Sequence, residues 1–383
     1  MLAQPQKTSF TSEYITKTVL NFIKKNPVLS IAFVVALITM FIVPPDAQYL
    51  EYFDLRTLSC LFGTLAVVCA LSNIWFFRSI SGKIVQVFHN TRSVILALTY
   101  ITLFGSMLIA NDMALITFLP LSYFVLESTD NRKYLAFTFV MQNVAANLGG
   151  MLTPFGNPQN LYLYSYFGIP NGEFVSIMLF PFILAFTLIT LLVFLFVKPD
   201  VLAIHRVFQA KLSVFRTTAY LILFALSIAI VFNVIHYLIG IGIIIAVLLV
   251  MDRKALLQVD YGLLLTFCAF FIFSGNMARI PAINDLIGGF VSRSTLLSGV
   301  ISCQFISNVP TAILLSKFTE NYADLLISVN IGGVGTLISS LASLITFRRY
   351  MKVDRPGIKK YLLIFTLINF ALLIIMTLVV SFM

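Results

Sequence analysis

Two polar interruptions stand 197 positions apart in apolar sequence: Ala110-Asn111-Asp112 within residues 93–126, and Ser307-Asn308-Val309-Pro310-Thr311 within residues 296–318. Polar groups at membrane depth are costly and sit where they face a cavity or one another. Asn111 and Asn308 offer amide oxygens and nitrogens, and Ser307 and Thr311 offer hydroxyls. Asp112 brings a carboxylate, which in an apolar setting either holds a cation or takes up a proton, and either behaviour couples a process to an ion gradient. Its structural alternative is a cap on the second arm of a hairpin.

A second polar stretch, Asn147-Leu148-Gly149-Gly150 through Thr153-Pro154-Phe155-Gly156-Asn157-Pro158-Gln159-Asn160, is dense in Gly and Pro. Such a run breaks the backbone ladder of a helix, and the freed amides and carbonyls are tolerated at membrane depth only against protein or a water-lined cavity. Asn330-Ile331-Gly332-Gly333 answers it 183 positions later, Thr336 answers Thr153, and Ser339-Ser340 answers Gly156-Asn157.

These residues are set in a chain of 383 residues that is 60% hydrophobic and 10% charged, with a mean hydropathy of +0.99. So much apolar surface has lipid as its solvent, and charge-free segments of 15 to 25 residues match the thickness of a bilayer core. The sequence predicts an all-α polytopic membrane protein. The net charge of +10 comes from Lys and Arg in a few short loops, so it reports orientation rather than affinity for nucleic acid. Cys60, Cys69, Cys268 and Cys303 lie in apolar segments without metal-ligand spacing, and packing accounts for them. His89, His205 and His236 fall in loops or at span ends.

The positive-inside rule orders the elements. Residues 1–26 predict a cytoplasmic amphipathic segment, and spans follow at 27–43 and 55–77. Arg78, Lys83 and Arg92 on one side of residues 93–126, and Arg132 and Lys133 on the other, are all cytoplasmic by this rule. The intervening 34 residues therefore enter and turn back as a re-entrant hairpin tipped by Ala110-Asn111-Asp112. A broken helix at 134–165 and a span at 174–197 complete a first repeat, 27–197. A basic loop and linking span occupy 198–236.

The second repeat, 237–383, holds spans at 237–251 and 261–277, a hairpin at 294–319 entering from the opposite face, a broken helix at 324–347 and a final span at 361–383. The total is about nine spans plus two hairpins in an inverted-topology repeat, with two discontinuous helices at the midplane. The N-terminus is cytoplasmic, the C-terminus outside, and the plasma membrane is the expected location. Inverted repeats with broken helices are the architecture of secondary transporters.

At these motifs the chain resembles the ion transporter superfamily of arsenite permeases, sodium/proton antiporters, citrate transporters and divalent anion:sodium symporters. The resemblance runs over nearly the whole chain from Pro27. It implies a scaffold domain, a mobile transport domain holding both hairpins, elevator-type motion and a homodimer. The first tip departs from the Ser-Asn-Thr of the dicarboxylate branch and looks more like the arsenite and antiporter branch.

Helix starts at the tips and breaks attract anionic groups, while helix ends and amide oxygens suit Na⁺. The site needs no Lys or Arg, and none is expected in the hairpins or broken helices. Asn111, Thr153, Gly156, Asn157, Ser307, Asn308, Thr311, Thr336, Ser339 and Ser340 are the candidate substrate ligands. Asn111, Asp112, Asn157 and Asn308 are the candidate cation ligands, with Na⁺ or H⁺ as coupling ion and no cofactor. The structural alternative is that these side chains cap helices or bridge neighbours.

No phosphate-cradling Gly-Lys-Ser/Thr loop occurs, and no Ser/His, paired Asp or His-rich set occupies the spans, so neither an ATPase nor an intramembrane enzyme is expected. The expected function is secondary transport of a small anion, with di- and tricarboxylates as the candidate class. The alternative is a Na⁺/H⁺ or arsenite/H⁺ antiporter, with a channel as the rival from another class.

Overall fold

The computed structural model describes residues 27–85, 87–201 and 212–382. The expected amphipathic segment 1–26 and most of the basic loop after residue 198 lie outside them. The described residues form helices joined by short turns, and no strand occurs among them.

Short polar side chains set the helix starts. Asp54 accepts from Thr57 N (2.9 Å) to open α2 (Leu55–Asn73), which follows α1 (Pro27–Ile42). Asn90 opens the first hairpin by accepting from Ser93 N (2.8 Å). These bonds satisfy amides that a helix start leaves free.

The second span was expected to run to Phe77. It stops at Asn73, where Trp75 turns the chain at φ 61°, and a separate α3 (Phe76–Val85) begins. The first hairpin is α4 (Thr91–Ile109) and α5 (Asn111–Ser128), joined through Ala110 alone. At 19 and 18 residues these arms are longer than half of the apolar stretch, because the Asn90 cap and the polar turn after Ser128 carry the helices past its ends. At 1.5 Å per residue each reaches roughly 28 Å, close to the depth of a bilayer core.

The first broken helix is α6 (Leu135–Gly149), a short 3₁₀ turn Gly150–Leu152, and α7 (Pro158–Phe167). Every residue of α6 is buried, and α4, α5 and α8 (Asn171–Phe196) pack on it. α8 itself has only 22% of its apolar window buried, as a helix facing lipid would. Then come α9 (Val214–Val231), α10 (Tyr237–Met251), the short α11 (Arg253–Leu257) and α12 (Tyr261–Ala278).

A further helix lay outside the sequence expectation. Residues 278–293 fall between the expected span 261–277 and the expected hairpin 294–319, yet they contain α13 (Pro281–Val291). It is opened by proline at a position that tolerates it and carries Ile283, Leu286, Ile287 and Phe290 at helical spacing. It meets α14 (Thr295–Ile306) at 114°. The second hairpin is α14 and α15 (Asn308–Leu315), joined through Ser307. α16 (Tyr322–Ile331) and α17 (Leu341–Val353) are the second broken helix, and α18 (Ile358–Val380) ends the described chain.

Seven helices among the described residues are long and apolar enough to cross a membrane, or eight if the bent pair is one span. These seven include the hairpin arm α4, which was not one of the nine expected spans; the nine also counted the second broken helix and α1 and α10, which have 16 and 15 residues.

Outside the spans, α1 and α12 are clasped at one end. Arg279 donates from both guanidinium nitrogens to the Asp46 carboxylate (3.1 and 2.6 Å) and from one of them to Tyr52 Oη (3.0 Å). Asn276 donates to Tyr49 Oη and Thr39 Oγ1 beneath it. The Arg279 bonds hold the Asp46 carboxyl below its usual 3.8. A carboxyl lowered on folding adds stability that is complete above the ordinary pKa and is lost as pH falls through the folded one. Arg279→Ala is therefore expected to lower the melting temperature by a few degrees at pH 7. The gap from the parent protein should close below about pH 4; a gap independent of pH would show that the carboxylate is not what the arginine holds.

Candidate functional site

Each hairpin turns on one non-glycine residue with positive φ, Ala110 at 63° and Ser307 at 73°. This region is disfavoured for residues with a Cβ and persists only where surroundings hold it. Those surroundings match in the two halves. Asn111 N donates to Gly156 O (3.2 Å), and Asn308 N donates to Ser339 O (2.9 Å). Each asparagine's Oδ1 then accepts the next backbone N–H, from Asp112 and from Val309, both at 2.9 Å. Thr153 Oγ1 donates to Met107 O (2.7 Å) and Thr336 Oγ1 to Gln304 O (3.0 Å). Each tip is thus pinned into the break of its own half's discontinuous helix.

The first break has no room for side chains. A methyl on Gly156 would lie 2.4 Å from Gly150 O, and one on Gly150 would lie 2.4 Å from Asn157 Oδ1 and 2.8 Å from Gly156 O. Asn157 sits at the start of α7 without capping it. Its Nδ2 instead donates to Asn147 O (3.0 Å) and Asn330 Oδ1 (3.1 Å). Gln159 Nε2 reaches the same oxygen at 3.4 Å, and Asn330 Nδ2 donates to Asn160 Oδ1 (2.6 Å). Asn160 Nδ2 lies 3.1 to 3.3 Å from the carbonyls of Gly150, Met151 and Thr153. This amide cluster bonds the first break to the second broken helix, and Asn143 Nδ2 to Ser343 Oγ (3.2 Å) adds a further link.

Both tips approach the same centre. Asn111 Nδ2 lies 3.4 Å from Asn147 Oδ1. That oxygen and Asn308 Nδ2 are both among the atoms a methyl on Gly333 would meet, at 3.6 and 3.0 Å.

Most of the expected hydroxyl ligands are already engaged. Besides the two threonines at the breaks, Thr311 Oγ1 donates to Ser307 O (2.7 Å) and Ser339 Oγ to Gly333 O (2.9 Å). Ser307 Oγ lies 3.3 Å from Ser339 O, and Ser340 Oγ accepts from Ser343 N (3.2 Å). The hydroxyls that donate to carbonyls staple the backbone at the breaks, which leaves their oxygens as acceptors, whereas Ser340 takes the accepting role itself.

A cavity of about 60 Å³ opens against the first tip alone. Of the expected ligands, Asn111 and Asp112 line it, while Thr153, Gly156, Asn157, Ser307, Asn308, Thr311, Thr336, Ser339 and Ser340 do not. Asp112 Oδ1 is buried without a hydrogen-bond partner. The corresponding residue in the second half is Val309, so the charge belongs to one repeat only.

The cavity also touches Thr64 and Asp260, which the sequence reading passed over. A threonine inside an apolar span and an aspartate before one carry no distinguishing sequence mark; only the packing brings them to Asp112. Lys317 lies within the expected bounds of the second hairpin, away from the tip. Its Nζ sits 4.4 Å over the Tyr166 ring, a cation–π contact joining that hairpin to α7.

A bundle of membrane-length helices, with hairpin tips bonded into broken helices at its centre, defines a multi-pass membrane transporter. The chain belongs to the citrate transporter family, whose model matches residues 15–326. It is 34% identical over 295 residues to the uncharacterized transporter MJ0456 of Methanocaldococcus jannaschii, covering 76% of this chain and 80% of that protein. It is 29% identical over 306 residues to the inner membrane protein YbiR of Escherichia coli, covering 77% and 80%. A shorter match, 31% over 130 residues, links it to the silicon efflux transporter LSI3 of Oryza sativa subsp. japonica, covering 34% of this chain and 26% of that one. The protein is a transporter rather than an enzyme.

Proposed function

We propose that the protein is a secondary active transporter that moves a small anion, of the di- or tricarboxylate class, coupled to Na⁺ or H⁺. The observation that carries this reading is the convergence of two hairpin tips and two broken helices around buried amides, with the carboxylate of a tip residue, Asp112, on a cavity. Helix starts at the tips supply partial positive charge for an anion, and the Asp112 carboxylate supplies the cation or proton binding that couples it to a gradient.

In this reading both hairpins move together against a scaffold of α1, α2, α9, α10 and α12 as an elevator, within a homodimer. The protein resides in the plasma membrane with its N-terminus in the cytoplasm and its C-terminus outside, as the basic loops require.

A second reading, antiport of Na⁺ or of arsenite against H⁺, is favoured by the walls of the cavity. Asp112 and Asp260 are the charged groups among its lining residues, with no Lys or Arg. LSI3, an efflux transporter by name, agrees with outward transport.

The deciding experiment is uptake of labelled succinate and citrate into proteoliposomes under an inward Na⁺ gradient, an inward H⁺ gradient, or neither. Saturable uptake driven by one gradient is the expected result and names the coupling ion. Absence of carboxylate uptake, together with Na⁺-driven proton flux or proton-driven arsenite efflux, would install the antiporter reading instead.

A further inference from the structure

The groups that surround Asp112 in the cavity come from different parts of the fold. Asp112 stands in the first turn of α5, Thr64 in the middle of α2, and Asp260 caps the start of α12. Asp260 Oδ1 accepts from Leu263 N (2.9 Å), and the residue itself is exposed. Asp112 is half-buried, and Thr64 is 6% exposed. The cavity is therefore lined by an exposed carboxylate, a half-buried one and a buried threonine.

Thr64 is the informative member. Buried threonines inside helices ordinarily donate to the carbonyl one turn back, as Thr99, Thr102, Thr266 and Thr346 do here at 2.6 to 3.0 Å. Thr64 Oγ1 is buried and makes no such bond. Thr138, Thr217 and Thr377 share that property, but none of them lines the cavity. An orphaned hydroxyl and an orphaned carboxylate oxygen on one small cavity are two unsatisfied acceptors, and groups of this kind call for a ligand.

We infer that Thr64 and Asp260, with Asp112, form a Na⁺ site shared between the hairpin tip and helices α2 and α12. The inference rests on the reading of Asp112 as the coupling carboxylate and extends it to two residues outside the hairpins and broken helices. Carboxylate and hydroxyl oxygens are hard donors of the kind an alkali cation takes. A water needs roughly 10 to 15 Å³ of such a volume, so about 60 Å³ also admits the few waters that would complete the shell. Asp260 at the exposed end gathers the cation, and Thr64 holds it beside Asp112. Because the donors sit on separate elements, the complete site exists only while the first hairpin stands against α2 and α12, and Asp112 alone keeps the ion once the hairpin moves.

The test uses the purified full-length protein in detergent, with Na⁺ titrated against choline at fixed pH and ionic strength. A ligand that binds the folded state raises the melting temperature with concentration. The parent protein is expected to show a saturable rise. Thr64→Val and Asp260→Asn are each expected to raise the half-maximal Na⁺ concentration about tenfold, equivalent to about 1.4 kcal/mol. Thr64→Ser and Asp260→Glu should restore it.

Valine has the shape of threonine, and asparagine caps helices as well as aspartate does, so neither variant should move the melting temperature in choline. The same Na⁺ shift should appear in transport assays. A parent protein that responds to pH but not to Na⁺, or variants that respond like the parent, would overturn the inference. Na⁺-driven carboxylate uptake indifferent to Thr64 and Asp260 would sink this site while leaving the proposed function standing. Na⁺ stabilisation that requires all three residues, without carboxylate uptake, would sustain the site and remove the anion substrate.

Discussion

Asp112→Asn is expected to abolish gradient-driven transport while leaving the protein folded. The geometry of the tip does not depend on the charge. Val309 occupies the equivalent position in the second hairpin, and its backbone N–H makes the same 2.9 Å bond to the preceding asparagine that Asp112 makes. Asparagine preserves the shape of the side chain and removes its charge, so the loss falls on whatever the carboxylate binds. Asp112 Oδ1 has no protein partner to lose.

A charge-assisted contact contributes up to about 3 kcal/mol. Uptake at a fixed, subsaturating cation concentration should therefore fall about 100-fold. The melting temperature without the coupling ion should stay within about 2 °C of the parent value. Proteoliposome uptake measured against both Na⁺ and pH checks this. Unchanged dependence on both ions would remove Asp112 from the coupling role and leave it as a helix-start residue.

Much of this architecture was legible because membrane depth makes polar residues conspicuous. Asn111 and Asn308 interrupt apolar runs, and each directly follows the residue on which its hairpin turns and pins the tip to the break. The Gly and Pro between Gly149 and Pro158 marked the stretch between α6 and α7, and the close approach of Gly150 to Gly156 explains why two glycines stand there. The spacing of Asn147 and Asn330 likewise led to the amides at the centre.

What was hidden depends on tertiary apposition. Thr64 reads as an ordinary helical threonine and Asp260 as an ordinary cap until α2, α5 and α12 are packed around one cavity. α13 was missed for a different reason: its apolar residues recur at helical spacing, but Gly288, Gly289 and flanking charges gave it the composition of a loop. The expected count of spans included short elements that fall below membrane length by helix length alone. The 16 residues of α1 and 15 of α10 reach only roughly 22 to 24 Å at 1.5 Å per residue, and composition does not report how far a helix extends through lipid.

The motif pairing also predicts equivalence where the two halves differ. Asn147 and Asn330 occupy corresponding positions, and each donates to a carbonyl one turn back, Asn143 O at 3.1 Å and Leu326 O at 2.8 Å. Their remaining bonds are unequal. Asn147 Oδ1 receives one long contact from Asn111 at 3.4 Å. Asn330 Oδ1 receives Asn157 and Gln159, and its amide donates to Asn160 at 2.6 Å. All four side chains of that cluster are at most 1% exposed, so water cannot replace a missing partner.

Asn330→Ala would orphan Asn160 Oδ1 and Gln159 Nε2, while Asn157 Nδ2 keeps Asn147 O. At about 1 to 3 kcal/mol per orphaned group, the loss should reach roughly 2 to 6 kcal/mol. Asn147→Ala should cost roughly half of that or less. Melting temperatures of the two variants measure the contrast. An Asn330–Asn160 double-mutant cycle should show a coupling above about 1 kcal/mol. Equal effects from the two alanine variants would mean that the bonds between the halves add nothing beyond the local turn-to-turn bond each asparagine makes. The larger effect at Asn330 would instead place the junction of the two halves at the first break, where Asn157, Gln159 and Asn160 follow one another in sequence and all meet a single side chain from the other half.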